Sequence, residues 1–281
     1  MTTTLPVPAP LRPLGPLFAG CAVGSWTLPD DVLTLRAGLD RLLSTPEPEV
    51  VDEASLHARL VSETAGAAVR GEDVPDVSPL VDAARSREAL TVHRRVIGGA
   101  IETLAGELHA QVADDPDTIL VNHLRPAFDH LVGELRAAVA TFSKYGATAG
   151  ELLKAPDKAR QAYLAVGELS ARWAALSAAR SALASVGHTA TADEASLFGL
   201  VRNADSFTDM TRSRPVTKIA DGLPWRALSG SEWLLWFGTH HDADVWMPTP
   251  TEQDARYLEV FGERIRTYRT NLQRGAMAHA M

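Results

Sequence analysis

Residues 157–186 read DKARQAYLAVGELSARWAALSAARSALASV. Leu169, Leu176 and Leu183 are spaced seven apart, and Val166 and Trp173 fill alternate places on the same stripe. This is the spacing of a helix that lays one face against another helix. Ten of the 26 residues from Ala159 to Ala184 are alanine. Alanine has the best helix propensity and lets helix axes come close. Arg180 falls where the stripe calls for another apolar residue. Ala155-Pro156-Asp157 supplies a start signal and Gly187 a stop.

Two more long segments repeat the pattern upstream. In residues 79–113, Leu90, Ile97 and Leu104 are seven apart and Ile101 and Leu108 interleave with them. Ser78-Pro79 offers a cap and a proline tolerated in the first turn. Gly98-Gly99 interrupts this helix at a cost of about 1 kcal/mol per glycine, which suggests close approach of a neighbour or a bend. Asp114-Asp115-Pro116 opens the next segment, to about Lys144, with Leu120, Leu124, Phe128, Leu131, Leu135, Val139 and Phe142 on its stripe. A link this short turns the chain back antiparallel. Pro126 removes one backbone hydrogen bond inside the pattern and predicts a kink.

Shorter helices flank these three. Asp30-Asp31 opens one to Leu43, with Val32, Leu35, Leu39, Leu42 and Leu43 on one side. Asp52 caps another, closed by Gly71, with Leu56, Leu60 and Ala67 inward. Thr148 and Glu151 have capping-box spacing. Beyond Gly187, short helices are expected at Ala192–Val201 and Ser231–Phe237. A final amphipathic helix is expected from Thr249-Pro250 to Arg274, carrying Leu258, Phe261, Ile265, Tyr268 and Leu272. Four of the six tryptophans, Trp225, Trp233, Trp236 and Trp246, lie within 22 residues there. Tryptophan buries a large area and is also enriched at binding hot spots, so these four are candidate partner-binding residues as well as candidate core.

The expected fold is therefore all-α. It is an elongated antiparallel bundle of three long helices with coiled-coil seams over residues 30–187. A tryptophan-rich helical module over 188–281 docks at one end. Residues 1–29 read as a proline-rich extended arm, with Leu17, Phe18 and Val23 tucked against the body. Phe18-Ala19-Gly20-Cys21 has the outline of a lipoprotein cleavage box. Arg12 is the only basic residue before it, and Pro6, Pro8, Pro10, Pro13 and Pro16 break the apolar stretch such a signal needs.

Charge and composition narrow the function. The formal net charge is −8, all of it accounted for by residues 30–83, where twelve Asp and Glu face four Arg and no Lys. The rest of the chain balances, which leaves no basic face for nucleic acid. No apolar run approaches the length of a membrane span. Cys21 is the only cysteine, so no disulfide can form within the chain, and the expected location is cytoplasmic. Gly-x-Ser-x-Gly, the usual phosphate-binding glycine loops and His-Glu-x-x-His are all missing.

Two clusters could hold a metal. His240-His241-Asp242-Ala243-Asp244 is the densest run of ligand types, although neighbouring residues point apart. His123, His130 and Glu134 share one helix face, without the Glu-x-x-His pairs of a di-metal bundle. No catalytic, cofactor-binding or metal residue is assigned, and no cofactor is expected.

The run from Ala159 to Leu169, with Ala171-Arg172-Trp173-Ala174-Ala175-Leu176 and Ala179-Arg180 after it, resembles a segment of uncharacterised helical proteins of actinobacterial phages and prophages. The resemblance implies a phage- or prophage-encoded protein of the head-gene region, virion-associated if phage-encoded, and carries no catalytic residues. Taken together, these features predict a non-enzymatic structural or assembly protein, such as a scaffold or accessory head protein, that binds a protein partner or itself. One alternative is an adaptor that binds a single protein through the aromatic C-terminus. Another is a metal-dependent enzyme built on the His240-His241 loop.

Overall fold

The computed structural model describes residues 8–48, 52–73, 75–146, 148–187, 197–208, 222–228 and 231–262. The fold is all-α. Among the described residues there is no strand, only an isolated antiparallel bridge between Val201 and Val245. The chain divides into two compact units. Residues 1–12 and 30–110 form the first, and residues 13–29 and 111–281 the second. The chain passes between the units after residues 12, 29 and 110, the last of these inside one long helix.

In the first unit, helix α2 (Asp30–Leu43) buries Val32 and Leu39. Helix α3 (Glu53–Arg70) starts at Asp52, whose carboxylate accepts from the N–H groups of Ala54 and Ser55. It ends at Gly71, left-handed at φ 67°. Both were legible as caps. Helix α4 (Ser78–Asp114) runs unbroken for 37 residues, its last turn lying in the second unit. Leu56 and Leu60 of α3 pack on Ala83 and Leu80 of α4. Arg94 grips Glu47 through two contacts of 2.7 Å, and Arg87 meets Glu53 at 3.2 Å.

Two readings of α4 need correction. Asp76, rather than Ser78, does the capping: its carboxylate accepts from the Ser78 N–H and hydroxyl, which holds it below the usual carboxylate range. Gly98 and Gly99 have no neighbour in the space a Cβ would fill, so close approach does not explain them.

In the second unit, helix α1 (Gly15–Ala22) replaces the extended arm expected at its position. Pro16 sits in the first turn, where a missing N–H costs nothing, and residues 17–22 contain no further proline. Gly24 at φ 72° closes the helix, and the Ser25 N–H bonds back to the Gly20 carbonyl at 2.9 Å. Leu17 and Phe18 are buried as expected, whereas Val23 is 77 % exposed. Trp26 folds back over α1. Its indole N–H donates to the Leu17 carbonyl, and its ring lies within 1.9 Å of where a Gly20 Cβ would stand.

Helix α5 (Pro116–Ile119), a π turn (Leu120–Leu124) and α6 (Arg125–Phe142) make up the second long segment. Asp115 caps it through the Thr118 N–H at 3.0 Å. The irregularity expected at Pro126 takes the form of the π turn. Pro126 cannot donate to a carbonyl one turn back, and its ring would crowd that carbonyl. The turn before it widens, and the Arg125 N–H reaches the Leu120 carbonyl instead.

A 3-10 turn at Ser143–Tyr145, Gly146 at φ 130° and the short helix α7 (Ala149–Leu152) lead to α8 (Asp157–Val186). Thr148 and Glu151 form the anticipated capping box. Helices α6 and α8 are antiparallel: Phe142 meets Tyr163 at one end, Phe128 meets Trp173 further along, and Pro116 abuts Gly187 at the other end. Gly187 is right-handed, and its value lies in leaving room for Pro116.

Helix α1 lies on α8, and helix α9 (Ser231–Thr239) on α6 and α8. The expected bundle partners therefore change. The α6–α8 pair is completed by α1 and α9, while most of α4 belongs to the first unit. Helix α10 occupies 250–262, and the rest of the expected helix to Arg274 lies outside the described residues. Half of the helix expected at Ala192–Val201 also lies outside them; in the described half Leu197 and Phe198 are buried in a 3-10 turn and the expected helix does not continue to Val201.

Two substitutions test this account with opposite signs. Gly20→Ala drives a methyl into the Trp26 ring and is expected to destabilise by about 1–3 kcal/mol. Gly98→Ala meets nothing and is expected to stabilise by about 1 kcal/mol through helix propensity. Urea melts followed by circular dichroism measure both.

Candidate functional site

The aromatic cluster grows from α8. Trp173, at 4 % exposure, touches Phe128 of α6 with ring centroids 4.9 Å apart and Trp233 of α9 at 4.6 Å, both edge to face. It also stacks on Phe237 at 6.0 Å. One side chain thus joins three helices. Phe237 contacts Trp225, Trp233 and Trp236 at 5.0–5.8 Å. Trp225 rises from a 3-10 turn at Pro224–Ala227 and meets Trp236 at 5.2 Å and Phe207 at 5.7 Å. Gly238 lets α9 approach α6, since a Cβ there would stand 2.4 Å from Val139.

Three of the four candidate tryptophans, Trp225, Trp233 and Trp236, therefore share one cluster. Trp225 is buried, while Trp233 and Trp236 are half-buried. Trp246 lies apart from them. It is buried, its indole N–H donates to the Phe198 carbonyl at 2.8 Å, and the Arg202 guanidinium sits 4.4 Å above its ring.

The His240–Asp244 loop is tied into the protein. His240 stacks on Trp236 at 4.1 Å, with its Nδ1 2.8 Å from the Trp236 carbonyl. Asn203 binds the second half of the loop, donating to the Asp242 carbonyl and accepting from the Asp244 N–H. His123 of the π turn bonds Thr27 at 3.1 Å, and on α6 Glu134 joins His130 at 3.3 Å to Arg172 at 2.5 Å. Among the described residues no three His, Cys, Asp or Glu side chains gather at metal-binding distance.

A second feature is a set of arginines that clasp residues 243–253. Arg136 donates to the Ala243 carbonyl at 2.9 Å, and Arg125 to the Met247 carbonyl at 3.1 Å. Arg180 donates to the carbonyls of Gly199 and Pro248 and to the Gln253 side chain, at 2.8–3.1 Å. Its acceptors are all uncharged, and among the described residues it makes no ion pair. Burial therefore pulls its pKa down. Arg180 also lines a cavity of about 190 Å³ together with Asp117, Phe128, Ser177, Trp246 and Gln253. The place of Arg180 on an otherwise apolar stripe was the sequence signal for this clasp. Arg125 and Arg136 gave no comparable signal.

Thr249 and Glu252 form a reciprocal pair at the start of α10: the Thr249 N–H donates to the carboxylate at 2.8 Å, and the Glu252 N–H to the hydroxyl at 3.1 Å. Arg125 also ion-pairs with Glu252. Burial pushes the Glu252 carboxyl up, but the Thr249 N–H and Arg125 outweigh it and leave it below the usual range.

No protein-family model, curated protein or solved structure matches the chain. Among the described residues no helix is long and apolar enough to cross a membrane.

Three measurements probe this site. Trp173→Ala is expected to cost about 3–5 kcal/mol in a urea melt, the range for a buried tryptophan. Arg180→Met is expected to cost about 1–3 kcal/mol by stranding buried acceptors. Arg180→Lys should recover little of it, because an ammonium lacks the fork that spans three oxygens. Glu252 is depressed in the folded state, so its stabilisation stands at neutral pH. That contribution declines as pH falls below the ordinary glutamate value of about 4.3 and is gone below the depressed one. Glu252→Gln is therefore expected to melt lower than the parent at neutral pH, with the gap closing in acid.

Proposed function

We propose that the chain is a non-enzymatic structural or assembly protein that works by offering helix faces to other protein surfaces, copies of itself included. The observation that carries this reading is the second apolar stripe of α4. One stripe, through Ala83, Ile101, Ala105, Leu108 and Val112, is buried. At 3.6 residues per turn the other, through Val81, Val92 and Val96, lies on roughly the opposite side of the helix. These valines are 48–61 % exposed. A helix with one apolar stripe needs one neighbour, and a second stripe calls for another.

The resemblance of Ala159–Arg180 to helical proteins of actinobacterial phages supports a scaffold or accessory head component as the setting. The half-exposed Trp233 and Trp236 support the adaptor reading, in which α9 is the contact. The two readings place the interface on different helices, which makes them separable.

Sedimentation equilibrium across a range of concentrations tests the assembly reading. The expected mass rises above the 30.2 kDa of one chain. A chain that stays monomeric at every concentration, and that captures no capsid or other protein when used as bait, overturns it. Complex formation abolished by Trp236→Ala with helicity intact, and untouched by Val92→Ser, would transfer the function to α9.

A further inference from the structure

We infer that the exposed face of α4 pairs with the same face of a second copy, antiparallel, about a two-fold axis level with Ser86 and Arg87. This inference rests on the assembly reading and gives it a register. Six residues carry the face: Val77 just before α4, then Val81, Arg85, Glu88, Val92 and Val96. Their spacings of four, four, three, four and four keep them within an arc of roughly 100° over more than five turns. Ser78 and Arg95 fall within the same arc at its two margins. The four valines are 48–61 % exposed. Arg85, Glu88, Val92 and Val96 of this face themselves line a shallow groove against Pro48.

The order of side chains on this face is self-complementary. When the face is turned about the midpoint between Ser86 and Arg87, Val77 comes opposite Val96, Val81 opposite Val92, and Arg85 opposite Glu88. Each contact occurs twice, as two-fold symmetry requires. Valine meets valine and cation meets anion at these three levels, and at the margins of the face Ser78 comes opposite Arg95. A parallel pairing in register would set Arg85 against Arg85 and Glu88 against Glu88, placing like charges at the centre of the seam. Sliding the antiparallel pair by one helical turn would press Arg85 onto Val92.

The charges are also free to engage. Arg85 has only a 3.8 Å contact with Asp82, and both side chains are more than 70 % exposed. Among the described residues Glu88 makes no ion pair. Elsewhere on α4, Arg87 and Arg94 are already held by Glu53 and Glu47 within the unit.

Charge reversal tests the register. Arg85→Glu alone and Glu88→Arg alone each create two like-charge contacts per dimer and are expected to weaken self-association by about tenfold or more. The double variant Arg85→Glu/Glu88→Arg restores both pairs in mirror form and is expected to associate like the parent. Circular dichroism melts confirm that the three variants stay folded.

Cross-linking tests the direction, in a Cys21→Ser background. Val81→Cys mixed with Val92→Cys is expected to give a disulfide-linked dimer under mild oxidation, and each alone is not. Self-association that ignores the charge reversals, or a cross-linked dimer from Val81→Cys alone, overturns the register and leaves assembly standing through another face. A parent chain that is monomeric at all concentrations overturns the pairing. The assembly reading then depends on whether the chain captures a different protein.

Discussion

The second unit depends on covering the apolar stripe of α8, and Trp173 is where that constraint is greatest. An indole in the middle of a 30-residue helix presents more area than one neighbouring helix can cover. Phe128 of α6 and Trp233 of α9 meet it edge to face, and Phe237 of α9 stacks on it. Gly238 then becomes necessary, because α9 can reach Trp173 only by lying close enough to Val139 to exclude a Cβ. Helix α1 also packs on α8, and Trp26 folds onto α1 at Gly20. Segments separated by some 200 residues in the chain are thus held by one stripe.

Aromatic packing fixes how near the elements lie, but it is tolerant of sliding. The arginine clasp supplies direction. Arg125, Arg136 and Arg180 each reach a different carbonyl between Ala243 and Pro248. A guanidinium carries several donors in a rigid fork, so one side chain can satisfy carbonyls from two segments. For Arg180 this comes with a buried charge that, among the described residues, no carboxylate pairs with. Its three acceptors and the neighbouring cavity soften that cost without removing it.

Helix ends were the most legible part of this fold. Asp52, Gly71, Asp115, Thr148 and Glu151 act through their own backbone neighbourhood, so their roles follow from local order alone. Helix α1 was missed because five prolines suggested an extended arm, although the position of Pro16 in a first turn mattered more than the number of prolines. Gly98-Gly99 was over-read, since a glycine pair shows what a helix tolerates and not what lies beside it. The regrouping of helices was not legible at all. A stripe on α4, α6 or α8 states that a neighbour exists and says nothing about which one, and the aromatic cluster was visible only as a density of tryptophan. Arg180 was the exception, because a charge on an apolar stripe must be explained by whatever surrounds it.

The two stripes of α4 bring the same reasoning to function. A buried stripe follows from folding, since exposing it would cost the unit its stability. An exposed stripe is under no such pressure, and polar residues at Val81, Val92 and Val96 would make a helix of equal propensity and better solubility. Chance placement of valines predicts no relation between them and the charges in between. Here the charges lie where a two-fold partner would present their opposites, at the level midway between the valine pairs. That order has no consequence inside a single chain, where Arg85 and Glu88 are exposed and the valines face solvent. It acquires one only when the face is doubled.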